Sequence, residues 1–177
     1  MSTRTATHSE DHSGQPQAAA REQAPADSRW LKRISVNSEW KGGMLATHRV
    51  RRFAFDTAEP PAVGGDDSAP TPMEYVVGAL AGCIAVVTET VANERKLGVH
   101  GLHVDIEATM DTRGFLGLAD VSPHFHRVDI RVSCRLSDAA QLAWLRAETE
   151  RRCPAYNLVR DAGAQVSVHW LTGGDAS

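Results

Sequence analysis

A chain of 177 residues, 42% of them apolar, can bury one core, and its net charge of −3 offers no basic field for nucleic acid or an anionic membrane surface. Three cysteines are too few for a disulfide scaffold, and their odd number leaves at least one outside any intramolecular bridge. No uninterrupted apolar run reaches the ~18–20 residues of a membrane span, and the N-terminus lacks the charged-then-apolar layout of a secretory signal. The expectation is a cytoplasmic protein without nucleic-acid or membrane partners.

Residues 1–29 contain no Leu, Ile, Val or aromatic side chain. Such a segment cannot offset its ordering entropy by burial and reads as a disordered tail, with the folded domain spanning 30–177. From Ile34 to Phe55 the pattern predicts strands around a turn at Gly42-Gly43. A loop stiffened by Pro60, Pro61 and Pro70 follows.

Thr71 then suits an N-cap, Pro72 the first helical position and Glu74 a capping box, which predicts a helix running to about Leu97 and stopped by Gly98. Its first half is apolar nearly all round and carries Gly78, Ala79, Ala81, Gly82 and Ala85. A helix of this kind belongs at the centre of a domain or interface, with other backbones close to it.

Alternation over Leu102–Met110 and again over Val128–Leu136 predicts two strands. Ser137 can cap a helix through about Arg152, Pro154 can open a short one, and Val166–Trp170 closes as a strand. Helices and antiparallel strands in this order read as α+β.

Two cysteines carry the candidate chemistry. Cys83 stands within the apolar helix, where the plain alternative is a small hydrophobe in a packed core. Cys153 precedes Pro154, and the expected N-cap position, with Arg151 and Arg152 beside it, would favour a thiolate. Cys134 shares strand parity with Val128, Ile130 and Val132 and reads as structural. His124 and His126 could place two imidazoles on one strand face, yet no C-x-x-C or H-x-x-x-H spacing supports a metal site.

The segments Glu39-Trp40-Lys41-Gly42-Gly43, Glu59-Pro60 with Gly64-Gly65, Pro72-Met73-Glu74-Tyr75 through Ala81-Gly82-Cys83, and Cys153-Pro154 together resemble the OsmC/Ohr family of osmotically inducible and organic hydroperoxide resistance proteins. The resemblance covers roughly Trp40 to Trp170, and Asp111–Leu118 is similar to a less characterised branch. Singly these segments are unspecific; their order and spacing carry the match.

The resemblance implies an intertwined homodimer with antiparallel sheets around long central helices and active sites at the subunit interface. It implies a thiol peroxidase with an antioxidant, stress-response role, which reduces organic hydroperoxides without a bound cofactor or metal. Cys83 would attack the peroxide and Cys153 would resolve the sulfenic acid as a disulfide. The implied reductant is a dithiol, which for the better-known members is dihydrolipoamide on a lipoylated carrier protein.

Better-known peroxidase members hold an arginine at the thiol through a glutamate near the start of the same helix. At that position this chain carries Met73, and Glu74 lies about 180° from Cys83 around the helix and about 13 Å along it, better placed for the capping box. The cation that a buried thiolate needs must come from elsewhere. Arg49 and Arg51, read as sharing a strand face with Leu45, Phe53 and Phe55, are preferred over Arg52 and Arg113. A pocket lined by Tyr75, Val76, Leu80 and Val86 would favour an apolar peroxide. The alternative is a non-peroxidase dimeric module that binds a small apolar ligand in the same interface cleft.

Overall fold

Strands β1 (Asn37–Gly42), β2 (Leu45–Val50) and β3 (Phe53–Thr57) form an antiparallel sheet in the order β1-β2-β3. The computed structural model describes residues 27–172. The expected tail thus lies outside the described residues up to position 26; Asp27 caps a single 3-10 turn, Ser28–Trp30, by accepting from the Arg29 N–H. Gly42 and Gly43, at φ 106° and 54°, make the expected β1–β2 turn, which Trp40 Nε1 pins by donating to the Gly43 carbonyl at 2.9 Å.

The second turn departs from the sequence reading. The chain reverses at Arg51, which takes φ 55°, so Arg49 and Arg51 do not lie on one regular strand. The register pairs Val50 with Phe53 and His48 with Phe55, which puts both phenylalanines on the face opposite Arg49. Arg51 instead stacks on the Phe53 ring, 5.1 Å from its centroid.

The following loop folds back on itself. A Cβ at Gly65 would stand 1.7 Å from the Glu59 carbonyl oxygen, so only glycine fits there.

Helix α1 (Pro72–Glu94) begins as its capping box dictates. Thr71 Oγ1 accepts from the Glu74 N–H at 3.2 Å, and Glu74 Oε2 accepts from the Thr71 N–H at 2.7 Å. It ends three residues before the expected Leu97, because Lys96 enters the left-handed region at φ 55°. That reversal turns Leu97 inward, where it is 7% exposed.

Strands β4 (Val99–Met110), β5 (Phe125–Leu136) and β6 (Gln165–Thr172) form the second sheet. A short helix α2 (Thr112–Phe115) lies between β4 and β5. The β4–β5 pair is antiparallel as expected, whereas β6 joins β5 in parallel. The reason is the crossover through α3 (Leu142–Arg152) and α4 (Pro154–Asp161), which returns the chain to the starting end of β5. Asp138, not Ser137, caps the turn that leads into α3, and Ser137 Oγ accepts from the Gly98 N–H instead.

Val128, Ile130 and Val132 on the inner face of β5 are fully buried against Leu80 and Ile84 of α1, while β5 Arg127 and Arg131 face outward beside β4 Thr109 and Asp105. A second cluster joins Val91, Ala92 and Leu97 to Leu145 of α3. The Arg95 guanidinium lies 3.8 Å from the centroid of Trp144, and Arg152 pairs with Glu94 at 2.7 Å.

By length and composition α1 could cross a membrane, with a mean hydropathy of 1.8 over 18 residues. The sequence expectation missed this because it counted uninterrupted apolar residues. In the fold, Leu80, Ile84, Thr88, Val91 and Ala92 bury one side of the helix against protein. The other side, with Val76 43% and Val86 68% exposed, stays uncovered within one chain.

Candidate functional site

Cys83 occupies the middle of α1, half-buried, with its side chain packed onto the core made by Leu80, Ile84 and the inner face of the second sheet. Cys153 is fully buried at the corner where α3 stops and α4 starts. Its backbone is extended, φ −71° and ψ 113°, as the following proline demands. Both are free thiols, and Cys83 packs against the same core cluster that buries Cys153, seventy positions away in sequence.

The electrostatics at Cys153 reverse the sequence expectation. Burial, above all, pushes its thiol up to about 11. The amides of Tyr156 and Ala155 at the start of α4 pull the other way, but neither completes a cap hydrogen bond to the sulfur. The neighbouring Cys83 sulfur adds to the rise, since it favours the protonated form of Cys153. Arg151 and Arg152 lend little help, since they pair outward with Glu148 and Glu94 at 2.6 and 2.7 Å. Desolvation at a site with no solvent contact outweighs two partial charges at a helix end. Cys153 therefore keeps its proton at neutral pH and can offer it to the Cys83 sulfur.

This shift has a measurable consequence for stability. Unfolded, the Cys153 thiol ionises near its ordinary 9.0; folded, near 11. Below pH 9 its contribution is fully present; above it the unfolded chain ionises first, and stability is lost as pH rises towards 11. The loss amounts to about 3 kcal/mol for this one group. Urea midpoints measured between pH 8 and 11 should fall more steeply for the wild type than for Cys153→Ala. Equal slopes would show that the thiol is not desolvated.

The remaining candidates fall elsewhere. Phe55 meets Tyr75 in the first turn of α1, ring centroids 4.8 Å apart, and Cys83 lies about 12 Å further along the helix. Arg49, on the opposite sheet face from Phe55, points away from this junction within one chain. Arg113 is held by Asp111 at 2.5 Å. Leu80 belongs to the core at 2% exposure, so it does not line a pocket with Val76 and Val86. Met73, at the position of the family glutamate, packs against the same core, and Glu74 is engaged in the cap.

Cys134 is buried on β5, where desolvation also raises its thiol. His124 and His126 border an open groove of about 580 Å³ with Asp111 and Ser122; His124 Nδ1 donates to the Phe125 carbonyl at 2.8 Å. Among the described residues no group of three His, Cys, Asp or Glu side chains is placed to hold a metal ion.

Sequence reasoning passed over Asn157. Its side-chain Nδ2 reaches the carbonyls of Cys153, Glu150 and Arg151 at 2.7, 3.0 and 3.3 Å. The signal was present as an amide side chain one helical turn after a Cys-Pro pair.

A thiol on a central helix, sharing one core cluster with a second thiol at a proline corner beneath a mixed sheet, defines an α+β protein with an internal dithiol. A family model described as OsmC-like protein matches residues 65–169, and the chain belongs to the OsmC family. The resemblance read from the sequence motifs is thereby borne out. No curated protein is similar enough in sequence to match.

Solved structures share the fold. An OsmC-like protein of unknown function from Vibrio cholerae has 15% identity and a TM-score of 0.65, covering 80% of this chain and 100% of that one. For an OsmC-like protein from Mycoplasma pneumoniae the values are 13%, 0.64, 80% and 96%. For the organic hydroperoxide resistance protein OsmC of Legionella pneumophila they are 18%, 0.58, 81% and 98%.

Proposed function

We propose that this protein is a cysteine-based peroxidase for organic hydroperoxides, and the packing of the Cys83 and Cys153 thiols into one core cluster carries the reading. Membership of the OsmC family and the likeness to structures named organic hydroperoxide resistance proteins support it. The Cys83 sulfur takes the outer oxygen of the hydroperoxide, the O–O bond breaks, and the alcohol leaves with a proton. Cys83 is then a sulfenic acid. Cys153 attacks the Cys83 sulfur, water leaves, and a disulfide remains. An external dithiol, such as a lipoylated carrier in a reducing cytoplasm, returns both thiols.

The proposed working form is an intertwined homodimer. The β1–β3 sheet and its first turn leave Trp40 73%, Phe53 48% and Met44 50% exposed, an apolar surface of the kind that marks an interface. In such a dimer the cation for Cys83, Arg49 or Arg51, would come from the other copy, because within one chain neither faces α1.

The test is intact and peptide mass spectrometry after one equivalent of cumene hydroperoxide, with no reductant added. A Cys83–Cys153 disulfide within seconds is the expected result. Thiols still reduced after minutes would favour the second reading, a dimeric module binding a small apolar ligand. The observation behind that reading is Met73, which sits in the core where the family glutamate would stand.

A further inference from the structure

Proline at 154 creates a specific defect. In an unbroken helix the Glu150 carbonyl would accept from the N–H of residue 154, and proline has none. The chain also turns at Cys153, so the Arg151 carbonyl loses its helical partner. Two carbonyls at the end of α3 are therefore left without backbone donors, immediately beside a thiol that must hold a defined direction. The last regular bond of α3 runs from the Cys153 N–H to the Thr149 carbonyl at 2.9 Å.

Asn157 repairs that defect. Its Nδ2 donates to the Glu150 carbonyl at 3.0 Å and to the Cys153 carbonyl at 2.7 Å, with Arg151 sharing at 3.3 Å. One amide thus ties the last turn of α3, the Cys153 peptide and the first turn of α4 into a single unit. The amide orientation follows from chemistry: three carbonyls converge there and only the nitrogen can donate. Its Oδ1, by contrast, is buried with no partner among the described residues.

We infer that Asn157 is a positioning residue for Cys153, holding the Cys153-Pro154 corner so that the buried sulfur faces Cys83. This rests on the proposed disulfide step but not on peroxide as its oxidant. The Cys83–Cys153 approach is set by the direction of one side chain leaving a non-helical residue, and the amide restrains the peptide on either side of it. A loosened corner would leave Cys153 buried yet misdirected.

The step can be isolated from peroxide with the aromatic disulfide DTNB. The Cys83 thiolate attacks it, forms a mixed disulfide and expels one thionitrobenzoate. The Cys153 thiolate then attacks the Cys83 sulfur, the Cys83–Cys153 bond forms, and a second thionitrobenzoate leaves. The two protons go to buffer. Asn157→Ser, whose hydroxyl can still bond back to the Cys153 carbonyl, keeps the fold while releasing Glu150 and Arg151; Asn157→Ala is the second variant.

The expected result is an unchanged first phase and a second phase roughly ten- to a hundredfold slower than in the wild type. An amide that only stabilised the fold would lower Tm and leave the second phase alone. That outcome overturns the inference, and so does a wild type that releases no second thionitrobenzoate. A wild type that closes with DTNB but ignores cumene hydroperoxide would remove the peroxidase reading and leave the role of Asn157 standing.

Discussion

If the proposed peroxidase reading is right, Cys83→Ser is expected to abolish steady-state reduction of cumene hydroperoxide by dihydrolipoamide, a fall of roughly three or more powers of ten against the wild type. A serine hydroxyl at the centre of α1 stays protonated and cannot take the peroxide oxygen, and no other thiol can substitute. Cys153 is fully buried with its thiol pushed up to about 11, and Cys134 lies on the inner face of the sheet, 4% exposed. Cys153→Ser behaves differently. It consumes one equivalent of peroxide, then stops with Cys83 as a sulfenic acid that passes to sulfinic acid under excess peroxide. Equal turnover in the wild type and Cys83→Ser would end the peroxidase reading.

Gly82→Leu converts the proposed dimer to monomers while leaving the single chain folded. A Cβ at Gly82 would meet nothing within 4 Å, and the same holds at Gly78. Within one chain the substitution gains helix propensity of about 0.8 kcal/mol. Only a second backbone lying along the face that carries Val76, Ala79, Gly82 and Val86 would be displaced by it. Overpacking of about 3 kcal/mol at each of two symmetric positions weakens association by roughly four powers of ten. Sedimentation at micromolar concentration reads the result directly. A variant that sediments as the wild type does would mean that this helix face is not the interface.

Much of the fold was legible because the forces that set it act over a few residues. Thr71, Pro72 and Glu74 declare the start of α1, since a capping box is closed by groups three residues apart. Gly42 and Gly43 mark a turn through a backbone conformation that other residues avoid. Alternation over Val128–Cys134 states which side of β5 is buried. The motif order was enough to recognise the family.

What the tertiary structure alone decided involves partners far apart in sequence. The approach of Cys83 to Cys153 depends on how α1 crosses the α3–α4 corner, which no local rule specifies. The parallel placing of β6 follows from a crossover path, not from the strand's own residues. Arg49 faces away from Phe55 because the chain reverses at Arg51, a residue without the usual turn signature. Cys153 shows the division most plainly. Its helix-capping position and its two neighbouring arginines could be read from sequence and argue for a thiolate. Complete burial, which only packing determines, argues for a thiol and prevails, because removing a charge from water costs more than a helix terminus returns.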